Sequence, residues 1–211
     1  MKRVNFLCLL AIFLLTGILP VPAQENQVQV ESWEIRHNKR QPPEKVMNAI
    51  GLKPGMVIGD IGAGTGRFTV WFADRVGNTG KVYANDIDQS ALNHLLDRCK
   101  KNNYTNVETV LGKVADPCLP EKSLDIAFMV NVYHHLDKPV ELVKNIIPSL
   151  KPDGILAIVE HDTQKSGFPR SDSTPKNEMI EELDRAGFKV IRIEDFLKLD
   201  YIYICRLKAE E

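Results

Sequence analysis

The chain has no surplus of either charge: 27 Lys and Arg stand against 28 Asp and Glu, for a formal net charge of -1. That balance removes the overall electrostatic case for nucleic acid or an anionic membrane as partner. Cysteine is scarce. The four residues at 8, 99, 118 and 205 form no disulfide framework and show no metal-ligand spacing. No internal repeat and no low-complexity tract is present, and no basic patch is interleaved with aromatics. What remains is ordinary for a folded domain: 44% hydrophobic and 26% charged residues over 211 positions. Such a length fits one domain with a sizeable core.

The first stretch differs from the rest. Lys2-Arg3 precede an apolar run from Val4 to Leu19, and Val21-Pro22-Ala23 precede polar Gln24-Glu25-Asn26. A basic start, an apolar middle and a small-residue exit describe a secretory signal peptide over residues 1–23, cut after Ala23. An uncleaved anchor is the alternative, although a full span takes about 20 apolar residues. The expectation is therefore export to a periplasmic or secreted location. Residues 24–41 read as a linker leading into a short amphipathic piece, and residues 42–211 as the folded domain.

That domain is organised around Val57-Ile58-Gly59-Asp60-Ile61-Gly62-Ala63-Gly64-Thr65-Gly66-Arg67-Phe68. Val57, Ile58 and Ile61 suit a buried strand, and Phe68, Val70, Trp71 and Phe72 begin a helix. Between them, glycines allow a tight turn and the close approach of a ligand. The dinucleotide fingerprint G-x-G-x-x-G fails here, because Arg67 stands at its third glycine. The order is D-x-G-x-G-x-G instead. A carboxylate so near the turn repels a pyrophosphate and favours a ligand that carries positive charge. S-adenosylmethionine has a sulfonium and an ammonium and no phosphate. On these residues the sequence resembles the class I S-adenosylmethionine-dependent methyltransferases of the Rossmann-like superfamily.

The remaining segments agree. Lys81–Asp86 reads as a second strand ending in a carboxylate 20 positions after Gly66 (86 minus 66), the separation of a ribose-binding acid. Asp88 suits the N-cap of a helix carrying Leu92, Leu95, Leu96 and Cys99. Asn106–Leu111 is a third strand. Leu124–Val130 is apolar enough for a central parallel strand covered on both faces. Lys151-Pro152-Asp153-Gly154 reads as a turn into Ile155–Val159, residues 162–175 as a loop, and 188–193 and 201–207 as two closing strands. The expected fold is α/β, Rossmann-like: seven strands, mostly parallel, helices on both faces and one antiparallel strand near the C-terminus.

The resemblance covers about residues 40–207. It implies S-adenosyl-L-methionine as cofactor and contacts to it from Asp60, Gly62, Ala63, Gly64, Gly66, Asp86, Ile87 and Asn131. Lys113 stands where the family commonly has an aspartate for the adenine, so Asp116 is taken for that role. Arg36 or Arg40, in the segment leading into the domain, is placed to meet the cofactor's carboxylate. Methyl transfer to an O, N or S nucleophile of a small molecule is the implied reaction. A protonated nucleophile needs a base. Tyr133, His134, His135, Glu160 and His161 lie at strand ends on the crevice side, and His134 and His135 are the candidate catalytic residues. An exported S-adenosylmethionine-binding protein without turnover is the alternative. No metal site and no stable protein partner is indicated, and membrane association follows only if the leader is retained.

Overall fold

A computed structural model describes residues 30–209; the leader and its expected cleavage point after Ala23 lie outside them. One sheet holds β1 (Val57–Ile61), β2 (Lys81–Asp86), β3 (Val107–Leu111), β4 (Leu124–Val130), β5 (Leu150–His161), β6 (Phe188–Glu194) and β7 (Asp200–Leu207). Their order is β3-β2-β1-β4-β5-β7-β6. Neighbours from β3 to β5 pair in parallel. β7 alone runs against both of its neighbours. The sheet is the one expected, with one antiparallel strand near the C-terminus.

Strand composition follows from burial on both faces. Along β4, Ile126 and Phe128 point to one side and Ala127 and Met129 to the other, and none is more than 2% exposed. The helices that cover them are α1 (Glu34–Arg40), α2 (Pro43–Ile50), α3 (Thr69–Val76), α4 (Gln89–Lys101), α5 (Pro139–Ile146), α6 (Thr163–Ser166) and α7 (Lys176–Arg185). On one face, Val46, Met47 and Ile50 of α2 join Phe72 and Val76 of α3. The Phe68 and Phe72 rings lie 5.2 and 4.9 Å from the ring of Phe128. On the other face, Val143 and Ile146 of α5 and Met179 and Leu183 of α7 cover Met129, Ile158 and Tyr203.

Local signals fix the helix ends. Pro43 opens α2, and Gly51 closes it in the left-handed conformation at φ 75°. The Asp88 carboxylate accepts the Ser90 and Ala91 amides at the start of α4. Two expectations change. Lys151–Gly154 belongs to β5, whose register against β4 shifts between Leu124 and Ile126. The Pro-x-Gly chemistry is spent on that irregularity, not on a free turn. Residues 162–175 are not a plain loop: α6 starts where Asp162 accepts the Gln164 and Lys165 amides at 2.8 and 3.2 Å.

In sequence, segment 24–41 reads as a linker leading into a short amphipathic piece. Its part from Glu34 to Arg40 is α1, and Glu34 is fully buried against Arg98 of α4 at 2.7 and 2.9 Å.

Candidate active site

β1 lies between β2 and β4: the chain winds outward from β1 to β3 on one side and resumes at β4 on the other. Ligands of open α/β sheets bind at such a switch point, beyond the carboxyl ends of the strands. A cavity of about 350 Å³ opens there. Ile61 and Gly62 come from the end of β1, Asn85, Asp86 and Ile87 from the end of β2, and Asn131 and Val132 from the end of β4. Lys113, Val114, His135, Leu136 and Leu142 close its sides.

The glycine turn starts at the cavity, which Gly62 lines. Gly62 and Ala63 donate their amides to Asn85 O at 2.8 and 2.9 Å. Gly62 has φ 73°, and an added Cβ would stand 2.4 Å from Val132 Cγ2. Gly64, at φ 54°, faces open space and donates its amide to Asp86 Oδ2 at 2.8 Å. Asp86 Oδ1 accepts the Asp88 amide at 2.9 Å. Asp86 is thus fixed in place, and each oxygen keeps lone-pair capacity for a ligand. Gly66 packs toward Leu95 of α4, so it serves the turn and not the cavity wall.

Asp60 sits beneath this turn, 1% exposed. Its Oδ2 accepts the Thr69 hydroxyl at 2.6 Å, while Oδ1 is buried without a partner. Burial pushes Asp60 up to about 6, partly opposed by the Thr69 hydroxyl and the Arg67 guanidinium. Arg67 is lowered to about 10, again mainly by burial, with Asp60 and Glu34 acting the other way. Arg67 donates to Gln41 Oε1 at 2.7 Å. Gln41 Nε2 in turn donates to Asn131 Oδ1 at 2.8 Å and to Asp200 Oδ1 at 2.9 Å. The residue after α1 therefore ties the glycine helix, the cavity wall and β7 into one buried polar layer.

Of the residues singled out in the sequence, Gly62, Asp86, Ile87, Asn131 and His135 line the cavity. Ala63, Gly64 and Gly66 do not line it; they form the turn that follows Gly62. Asp116 does not line it: its Oδ1 accepts the Cys118 amide at 2.8 Å, and Lys113 and Val114 stand at the wall instead. The two candidate histidines part company. Both lie in the helical turn Tyr133–His135, where successive side chains diverge. His135 faces the cavity. His134 turns away, shares a 2.6 Å hydrogen bond through Nδ1 with buried Glu160 Oε1, and borders a smaller recess formed with Ser173, Glu178 and Glu182.

Three residues of this region escaped the sequence reading. Glu34 sits in a charged, polar segment and gives no local sign of burial. Gln41 and Asp200 lie 159 positions apart and meet only through the fold. A polar residue just before Pro42-Pro43 was the one available cue to Gln41.

Fold and cavity together define a Rossmann-type α/β protein with a site for a nucleoside-bearing ligand. A family described as methyltransferase domain matches residues 59–158. A crystallised S-adenosylmethionine-dependent methyltransferase from Aquifex aeolicus superposes with a TM-score of 0.74 at 28% identity, over 79% of this chain and 89% of that one. The ubiquinone/menaquinone biosynthesis C-methyltransferase UbiE of Hydrogenovibrio crunogenus is 32% identical over 114 residues, covering 52% of this chain and 44% of the relative. The chain spans less than half the length of such curated relatives. The cyclase SpnF shares the fold alone, with a TM-score of 0.69 at 17% identity over 81% of this chain and 82% of its own. The methyltransferase-domain match and the likeness to the Aquifex aeolicus structure together support a class I S-adenosylmethionine-dependent methyltransferase.

The residues present fit that cofactor. Gly64 leaves room at the turn, Asp86 offers a carboxylate to a diol, and Ile87 and Val114, 61% and 51% exposed, offer apolar surface to a flat base. The orphaned Asp60 oxygen is an acceptor that a cationic group would satisfy.

Proposed function

We propose that this protein transfers a methyl group from S-adenosylmethionine to a small-molecule acceptor. The observation that carries the reading is the cavity at the β1/β4 switch point, where Asp86 and the open backbone at Gly64 meet apolar walls. Asp86 holds the ribose hydroxyls, and Asp60 supports the ammonium end through the glycine turn. The cofactor, when bound, supplies an already activated methyl group, so the chain's task is to orient the acceptor, exclude water and move a proton.

The UbiE relatives are named as C-methyltransferases of ubiquinone/menaquinone biosynthesis, which supports a small-molecule acceptor here. His135 stands at the cavity wall, and His134 stands behind it, its ring held by Glu160. Either imidazole is a candidate to take a proton from the nucleophile. A positioned base is worth about 10²–10⁴ in rate. Single alanine replacement of the histidine in that role lowers kcat by about this factor and leaves cofactor affinity intact.

The basic start, apolar run and Val21-Pro22-Ala23 support a leader cut after Ala23 and export, or a membrane anchor if it is retained. That location favours the second reading, a binding protein without turnover, because the cofactor is made in the cytosol. One experiment separates the two. The full chain is assayed with methyl-labelled cofactor against metabolite extracts, alongside calorimetric binding of S-adenosylhomocysteine and NAD. Label in a small product supports transfer. S-adenosylhomocysteine binding with no labelled product selects the binding protein, and preferential NAD binding defeats both.

A further inference from the structure

A second histidine–carboxylate pair lies across from His134. His161, at the end of β5, shares a hydrogen bond through Nδ1 with Asp200 of β7. Asp200 is fully buried and His161 is 6% exposed. The His134 and His161 rings are near parallel, 20° apart in plane and 5.9 Å between centroids.

The hydrogen bonds fix the tautomer of His161. Arg40, the last residue of α1, approaches Nε2 through Nη2 at 3.2 Å. A guanidinium has donors only, so Nε2 is the acceptor in that contact. Nδ1 then carries the ring proton and donates it to the Asp200 carboxylate. The imidazole is neutral, with its lone pair directed at Arg40. Arg40 Nε is buried with no partner. A lone pair and an idle cationic donor thus lie side by side under α1. Their complement is a hydroxyl group: the nitrogen accepts its proton, and the guanidinium meets the oxygen that loses it. Gln41 and Asn131 connect this pair to the cavity wall, since Gln41 bonds both Asp200 and Asn131.

Resting on the assignment of a small-molecule acceptor, we propose that His161 is a catalytic residue and that the acceptor carries an acidic, phenol-like hydroxyl. The hydroxyl displaces Arg40 from Nε2, one donor replacing another. The O–H bond breaks, an N–H bond forms at Nε2, and the electron pair stays on oxygen. The resulting imidazolium keeps Nδ1–H on Asp200, and Arg40 stands beside the oxyanion. After product leaves, the imidazolium returns the proton to water. Asp200 is the positioning residue. The other charged or titratable groups around the ring are His37 and Arg67 on the side of α1, His134 from the β4 end, and Glu160, which accepts the His161 amide at 2.8 Å.

Para-nitrophenol, whose ionisation is read from visible absorbance, is the probe, titrated into the full chain with S-adenosylhomocysteine present. Bound to wild type, its ionisation constant rises about tenfold or more, as for an acid beside opposite charge. His161→Gln removes most of the rise and leaves the share that Arg40 supplies. Asp200→Asn reduces it, because an amide donates to Nδ1 and moves the ring proton onto Nε2. Arg40→Gln removes part of it, because the guanidinium no longer stands beside the oxyanion. S-adenosylhomocysteine affinity reports folding, and Asp200→Asn carries the test if His161→Gln does not fold. Absent binding of the probe, unchanged ionisation in wild type, or a full rise in His161→Gln overturns the proposal. A tenfold loss of S-adenosylhomocysteine affinity in Arg40→Gln assigns Arg40 to the cofactor and overturns its role beside the oxyanion. Wild type that ionises the probe but fails to bind S-adenosylhomocysteine refutes the cofactor reading and leaves His161 standing.

Discussion

Asp60 is the group whose titration tests the cofactor site most directly. Without ligand it is buried, half-partnered and pushed up to about 6 from an ordinary value of 3.8. A raised carboxylate stabilises the fold most below about 3.8, and that contribution is lost as pH rises through about 6. The free protein at neutral pH therefore carries the cost of an ionised, buried acid. A bound ammonium relieves it. Full restoration to the ordinary value recovers about two pKa units, or about 3 kcal/mol, which is on the order of a hundredfold in affinity. The expected result is S-adenosylhomocysteine binding that weakens as pH falls below about 6, by up to about a hundredfold near pH 4. Calorimetry in buffers of different ionisation enthalpy should show a proton released on binding in that window. Asp60→Asn should bind at the weak acid limit at every pH, while its free form unfolds less readily at neutral pH than wild type. Affinity that is flat with pH in wild type, or an Asp60→Asn chain less stable than wild type, refutes the reasoning.

Four further outcomes are expected. Asp86→Ala should lower S-adenosylhomocysteine affinity about tenfold to a hundredfold by calorimetry, the loss of a charge-assisted hydrogen bond worth about 1.5–3 kcal/mol. Glu34→Gln leaves Arg98 buried without its carboxylate, so urea unfolding should show a loss of about 3–5 kcal/mol. Gly62→Ala puts a methyl group 2.4 Å from Val132 Cγ2 at φ 73°. Its melting temperature should fall with a loss of about 1–3 kcal/mol, and cofactor affinity should fall with it. N-terminal sequencing from the native host should begin at Gln24, and a cytosolic product that retains Met1–Ala23 would refute the leader.

Most of the fold was legible because its signals are local. β4 announces itself as an apolar run, α2 by Pro43 and Gly51, and α4 by Asp88. The glycine turn beside the cavity was legible for the same reason: turn, carboxylate and glycines are contiguous, and Asp86 follows at a fixed distance. What the sequence hid depends on contacts between distant residues. Glu34 reads as solvent-facing until Arg98 covers it. His134 and His135 are adjacent and chemically alike, and only the short helical turn decides that one faces the cavity and the other Glu160. Asp116 has the right chemistry for adenine and the wrong neighbour, since its own loop uses the carboxylate as a cap. His161 and Asp200 become a pair because β5 and β7 run antiparallel with these two residues in register.

The contact between Gly62 and Val132 has a consequence for how relatives of this chain should vary. The two positions come from different strand ends, yet the valine methyl groups occupy the space that any larger residue at 62 would take. A bigger residue at 62 is admissible only where 132 has already shrunk, and the left-handed backbone at 62 restricts even that path. The smaller change must therefore come first in any lineage that departs from glycine here. Substitution at 132 alone opens the floor and is the tolerated intermediate, whereas substitution at 62 alone is a dead end. The glycine is held in place by Val132 and by its own backbone conformation.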